Sequence, residues 1–115
     1  MKNERPVAEW DGKQSRDFTY VANVVEANLR ACVVGGISGE VFNIACGTTT
    51  SILDIIRLAN KILGLKLNPV FGPKRAGDVR KTYADINKMR NVLGLKKIVG
   101  FEEGLKRTID WFKTR

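Results

Sequence analysis

The stretch from Glu40 to Gly64 constrains the fold most. It reads EVFNIA, then Cys46, then a Gly-Thr-Thr-Thr-Ser loop over 47–51, then ILDIIRLANKIL, then Gly64. A short, β-branched, apolar run reads as a buried strand. A strand is therefore expected over Glu40–Ala45. After the loop, apolar residues recur at helical spacing. Ser51 and Asp54 form the Ser-x-x-acid capping pattern, and Gly64 sits where a left-handed C-terminal residue belongs. The apolar arc of this helix (Ile52, Leu53, Ile55, Ile56, Leu58, Ala59, Ile62, Leu63) is wide, so the helix is expected to be mostly buried.

The flanking segments extend the pattern. Glu4–Gly12 reads as extended, ending in a turn at Asp11-Gly12, and Asp17–Val21 reads as a second extended piece. Val21, Val24, Val25, Asn28, Leu29 and Cys32 predict a helix over Ala22–Val34, stopped by Gly35-Gly36. A short strand is expected over Asn68–Phe71 and a loop over Gly72–Asp78. Asp85 can cap a short helix carrying Ile86, Met89, Val92 and Leu93, closed by Gly94. The last helix starts near Phe101, with Phe101, Leu105, Ile109 and Phe112 as its core face. Glu102 and Glu103 suit its positive end, and Lys113 and Arg115 its negative end. The chain is thus expected to be α/β, a mixed α+β unit of about four helices and several short strands.

With 115 residues there is room for one small domain over 1–115. No apolar run approaches the roughly 18–20 residues needed to span a bilayer. Met1 to Pro6 carries no signal-peptide core, so a cytoplasmic location is expected. The chain has no histidine, which removes Ser-His-Asp and Cys-His mechanisms together. Cys32 and Cys46 stand apart without a CxxC partner, so a zinc site is disfavoured and buried free thiols are expected. The net charge of +8 predicts anionic partners without naming them. A nucleic-acid-binding or assembly module is one alternative, but neither a recognition-helix pattern nor an aromatic-basic platform supports nucleic acid.

Two stretches hold the more specific chemistry: Asp11-Gly12-Lys13-Gln14-Ser15-Arg16-Asp17-Phe18-Thr19-Tyr20-Val21 and Gly72-Pro73-Lys74-Arg75-Ala76-Gly77-Asp78-Val79-Arg80. Each places an arginine beside a turn with carboxylates close by. A guanidinium fork can hold phosphate oxygens bidentately, and two such forks could clamp a diphosphate. The plainer alternative is a surface pair of an arginine with Asp17 or Asp78.

DGKQSRDFTYV followed by NVVEAN resembles the segment that leads into the substrate-binding region of NAD-dependent epimerase/dehydratases, the extended short-chain dehydrogenase/reductase family. EVFNIACG resembles that family's FNIG strand, RAGDVR its arginine-x-glycine-aspartate loop, TYADINKMRNVLGL the helix after it, and FEEGLKRTIDWF the closing helix. The matches follow the family's order and spacing over nearly the whole chain. The resemblance implies the C-terminal, substrate-binding part of a Rossmann-type enzyme whose substrate is a nucleotide diphosphate sugar, most often a UDP-sugar; the enzyme is an epimerase or, as the alternative, another NDP-sugar dehydratase, decarboxylase or reductase, whose substrate halves look alike. It implies that Arg16 and Arg75 contact the diphosphate, and that Asp78 binds the ribose or shapes the arginine loop. Tyr20 and Asn43 lie in matching motifs, with packing or backbone-fixing roles. Two positions depart from the pattern: Trp10 replaces a glycine before Asp11-Gly12, and Ala22 replaces an aspartate that could cap the following helix.

The redox half of such an enzyme is not legible here. A dinucleotide cradle needs a glycine-rich turn between a strand and a helix. Gly35-Gly36-Ile37-Ser38-Gly39 instead precedes the expected strand, so it reads as a turn. Gly72 and Gly77 have a P-loop-like separation, but Asp78 stands where the lysine belongs. The family's Tyr-x-x-x-Lys pair is missing as well: Val24 lies four residues after Tyr20, and Asn87 four after Tyr83. The expectation is a sugar-nucleotide-binding chain with no catalytic residues and no cofactor of its own, NAD belonging to the absent N-terminal Rossmann domain of the full-length family. Without that domain, Val24, Val25, Leu29 and EVFNIA would lose cover. A homo-oligomer or a complex with a separately encoded N-terminal half is therefore expected.

Overall fold

The computed structural model describes residues 4–115. The elements in chain order are β1 (Val7–Glu9), β2 (Ser15–Arg16), α1 (Val21–Val33), β3 (Thr50–Ser51), α2 (Ile52–Leu63), β4 (Val70–Gly72), α3 (Asn87–Val92) and α4 (Phe101–Lys113). β1 pairs in parallel with β4, and β2 pairs antiparallel with β3. The fold is α/β, with four helices and short strands, as the periodicities indicate.

Local rules explain the ends of α2. The Ser51 hydroxyl accepts the Asp54 N–H at 3.1 Å, and Gly64 adopts φ 67° at the other end of α2. The N-cap of α3 is Ile86, not Asp85, and no side chain caps it; Asp85, one residue earlier, accepts the Asn87 N–H at 2.8 Å. α1 begins at Val21 with Tyr20 as its N-cap and no side-chain cap, so Ala22 lies inside the first turn and not at the capping position.

The core lies between α1, the 37–45 segment, α3 and the chain after it. Ala27, Ala45, Ile86, Met89, Leu93 and Leu95 are buried there, with Phe42, Ile44 and Ile98 packed against them. The inward face of α1 carries Asn23 and Ala27, whereas Val21, Val25, Leu29 and Val33 are exposed.

Four further expectations need correction. Glu40–Ala45 forms no ladder. Its side chains do alternate, with Phe42 and Ile44 half-buried and Val41 and Asn43 exposed, but among the described residues no strand lies alongside to pair its backbone. Next, α2 has no fully buried residue; its apolar positions are all half-buried. The molecule measures 49 × 35 × 19 Å. Its thinnest dimension is only about two helix diameters, too thin to cover a helix all round. Phe112 is exposed, and Gly104 takes the inward place on α4 beside Ile109. Finally, of the two free thiols only Cys46 is buried; Cys32 is exposed.

The open shape has a magnitude. The radius of gyration is 16.7 Å, against about 13 Å for a compact domain of this length. The accessible surface is 7970 Å², against roughly 6,300 Å² for a folded monomer of this mass. Unpartnered apolar residues of α1 and of the 40–45 segment contribute to that excess.

Candidate functional site

β2 carries Arg16, beside Asp17 in sequence and Asp78 in space. Pairing with β3 fixes its backbone, and a further bridge joins Ser15 to Lys81. The Ser15 N–H donates to the Arg80 carbonyl at 2.9 Å, and the Thr82 N–H donates to Ser15 at 3.1 Å. The second arginine stretch is thus stitched to the first through the backbone.

Side chains complete the connection. The Arg16 guanidinium ion-pairs with Asp78, and its other nitrogen donates to the Ser15 carbonyl at 2.8 Å. The Asp78 N–H in turn donates to the Arg75 carbonyl at 3.3 Å, closing the turn that displays Arg75. Asp78 therefore holds the arginine loop against β2. Arg75 contacts Glu9 at 2.5 Å with its side chain three-quarters exposed. Arg80 meets both oxygens of Asp11, at 2.7 and 2.9 Å. That pairing, with a smaller contribution from the Lys13 N–H, holds the Asp11 carboxyl below the ordinary carboxylate range.

The remaining motif residues lie elsewhere. Tyr20 packs against α4, where a Cβ on Gly104 would come within 2.9 Å of the Tyr20 Cβ. It also lines an apolar groove of about 480 Å³ with Phe18, Phe101 and Trp111. Asn43 is exposed and donates to the Asp85 carbonyl at 3.4 Å.

Asp17, which the sequence offered only as an ion-pair partner for an arginine, and Asn23 prove central to the geometry. The Asp17 carboxylate accepts the N–H groups of Cys46 and Gly47, both at 2.9 Å. It thereby fixes the loop into α2 to the residue beside Arg16. Burial, and then the Asp17 charge, push the Cys46 thiol pKa up. Asn23 clasps Val99: its amide donates to the Val99 carbonyl at 2.9 Å and accepts the Val99 N–H at 2.8 Å. Both side chains act across loops distant in sequence, so periodicity gave no sign of them.

Comparisons with known proteins show the family. Residues 1–45 match the NAD dependent epimerase/dehydratase family. The UDP-glucose 4-epimerase of Mycolicibacterium smegmatis is 33% identical over 105 residues, covering 91% of this chain and 33% of that protein. The Thermotoga maritima UDP-glucose 4-epimerase, solved with UDP-glucose, superposes with a TM-score of 0.89 at 40% identity, covering 96% of this chain and 35% of that one. The chain belongs to the NAD-dependent epimerase/dehydratase family. It spans about a third of the length of the curated relatives it matches. The Bacillus cereus UDP-glucuronic acid 4-epimerase, solved with UDP-glucuronic acid and NAD, gives a TM-score of 0.87 at 34% identity, over 95% of this chain and 35% of that one.

Family membership raises the question of NAD, and the residues present do not fit it. Gly35-Gly36 and Ser38-Gly39 form turns that no strand precedes and no helix follows directly. The Gly72–Gly77 loop leads out of β4 into irregular chain, not into a helix N-terminus. No helix among the described residues is long and apolar enough to cross a membrane.

Proposed function

We propose that this chain is the UDP-sugar-binding region of a UDP-glucose 4-epimerase-like protein, that it works in the cytoplasm, and that alone it has no epimerase activity. The observation that carries the reading is the backbone tie of Ser15 to Arg80 and Thr82, which draws the two arginine-bearing segments to one place. Arg16 and Arg75 would take the diphosphate. Each is held by a carboxylate, Asp78 or Glu9, and an incoming diphosphate would compete for the same forks. Asp78 would bind the ribose or keep the loop in shape, while Tyr20 and Asn43 contribute packing and backbone contacts. The solved relatives that contain UDP-sugars, at up to 40% identity, support this choice of ligand.

Redox chemistry would come from a nucleotide-binding half that supplies NAD and the Tyr-x-x-x-Lys pair. The exposed apolar residues of α1 and the unladdered 40–45 segment support a partner, either that half or a second copy of this chain. Titrating UDP into the wild type and into Arg75→Ala tests the site. Clearly weaker binding by the variant is expected, and equal binding would remove the arginine clamp. Turnover by the purified chain given UDP-glucose and NAD would refute the inactivity.

A further inference from the structure

Trp10 is the one non-glycine residue among those described with a left-handed backbone, at φ 56°. A bulky residue at positive φ is an outlier, and such strain persists only where the surroundings over-determine it. Trp10 stands inside the turn that the Gly12 N–H closes on the Glu9 carbonyl at 3.3 Å, and its other contacts described are to the arginine loop. The Trp10 N–H donates to the Gly72 carbonyl at 3.0 Å and reaches that of Pro73 at 3.4 Å. Its ring lies 4.1 Å from the Lys74 ammonium and 3.6 Å from the Arg80 guanidinium carbon. Arg80 is turned to that position by its two bonds to Asp11. Both ends of the 74–80 loop are therefore held on one aromatic ring, and cations so placed are attracted to its face.

Arg75 lies inside the loop but outside this clasp. Its exposed side chain contacts only Glu9 among the ion pairs described. We propose that Trp10 is a positioning residue that immobilises the loop backbone, so that the Arg75 side chain alone exchanges Glu9 for a diphosphate. The inference rests on the proposed UDP-sugar site and adds to it a specific requirement for an aromatic ring at a position that favours glycine. A glycine there would suit the backbone better, yet it would release Lys74 and Arg80.

The test uses the full chain with Trp10→Gly, Trp10→Asn and Trp10→Tyr. Glycine and asparagine both tolerate positive φ but have no aromatic face, whereas tyrosine keeps one. Amide hydrogen exchange is followed by NMR at Ser15 and Asp78, whose N–H groups bond within this assembly. Their exchange should quicken about 5- to 30-fold in the Gly and Asn variants, the factor attached to losing two cation–π contacts. The Tyr variant should stay within about threefold of wild type. Amides of α1 should not change. UDP affinity, measured in parallel, should weaken in the Gly and Asn variants and not in the Tyr variant. Equal exchange at Ser15 and Asp78 in all four proteins would overturn the inference, as would Tyr behaving like Gly. Loss of α1 protection in both Gly and Asn variants would overturn it too, by making Trp10 a general fold element. If exchange behaves as expected and no protein binds UDP, the site assignment fails while the clasp stands.

Discussion

Asn23→Asp offers the sharpest test of how the fold is held, because it changes a single group and almost no volume. Asn23 is 3% exposed and joins α1 to Val99 through one donated and one accepted hydrogen bond. An ionised aspartate keeps the acceptor for the Val99 N–H but loses the donor. Its second oxygen then faces the Val99 carbonyl. A buried polar group left without its partner costs about 1–3 kcal/mol. Burial of the new charge adds to that, so a loss of roughly 2–4 kcal/mol at neutral pH is expected.

The pH dependence has a definite sign. Burial and the facing carbonyl raise the folded-state pKa of the introduced carboxyl above its unfolded value. Below the unfolded value both states are protonated, and the neutral acid can donate to Val99 as the amide did. As pH rises past that point the unfolded state ionises first, so stability falls until the folded pKa is passed, and then levels off. Urea unfolding of wild type and variant across pH 3–8, followed by far-UV circular dichroism, reads this directly. A deficit independent of pH, or none at pH 7, would refute the clasp as a buried two-bond contact.

Other outcomes follow from the same geometry. Gly47 has φ 71°, and a Cβ there would lie 2.6 Å from the Ile86 Cδ1, whereas Gly36, at φ 75°, has open space around it. Gly36→Ala should cost about 1–2 kcal/mol for its backbone alone, and Gly47→Ala clearly more in the same unfolding assay. Iodoacetamide should label Cys32 well before Cys46, whose thiol is buried and titrates late; mass spectrometry of partly labelled protein checks the order, and Asp17→Asn should bring the Cys46 profile to lower pH. Val25→Lys and Leu29→Lys should reduce any self-association seen by light scattering without unfolding the chain; unchanged association would place the contact elsewhere. Asp11 titrates below the ordinary carboxylate range, so its tie to Arg80 should persist through mild acid and be lost only as pH falls through that lowered value, which carboxyl-detected NMR can follow.

Much of the architecture was legible from periodicity and caps. Ser51 and Gly64 marked the ends of α2 through a local hydrogen bond and backbone freedom, and such signals survive without tertiary context. The failures share one cause. Glu40–Ala45 has the composition of a strand and alternates its side chains correctly, yet a strand exists only with a neighbour. α2 has the apolar arc of a buried helix, but the molecule is too thin to enclose it. Phe112 repeats at core spacing on α4, while contact with Tyr20 puts Gly104 inside instead. At the site, the arginine-bearing motifs indicated where to look. An arginine paired with Asp78 was among the alternatives the sequence offered, and Arg16 makes that pair; Arg80–Asp11 and Trp10 with its two cations were not readable, because they join residues more than sixty positions apart.

The 40–45 segment also bears on how a partner would be chosen. Backbone hydrogen-bonding groups look alike along almost any chain, so an open edge attracts extended neighbours without discriminating among them. Here Phe42 and Ile44 are already committed inward, which fixes the face any added strand must match. One residue of slippage would present the wrong face of that strand. The exposed side chains of α1 make a second, shape-dependent demand. A partner meeting only the first demand would bind indiscriminately, and one meeting both would dock in a single register. For this chain, selectivity in assembly would come from a helix surface, and adhesion from a backbone that is the same in every protein.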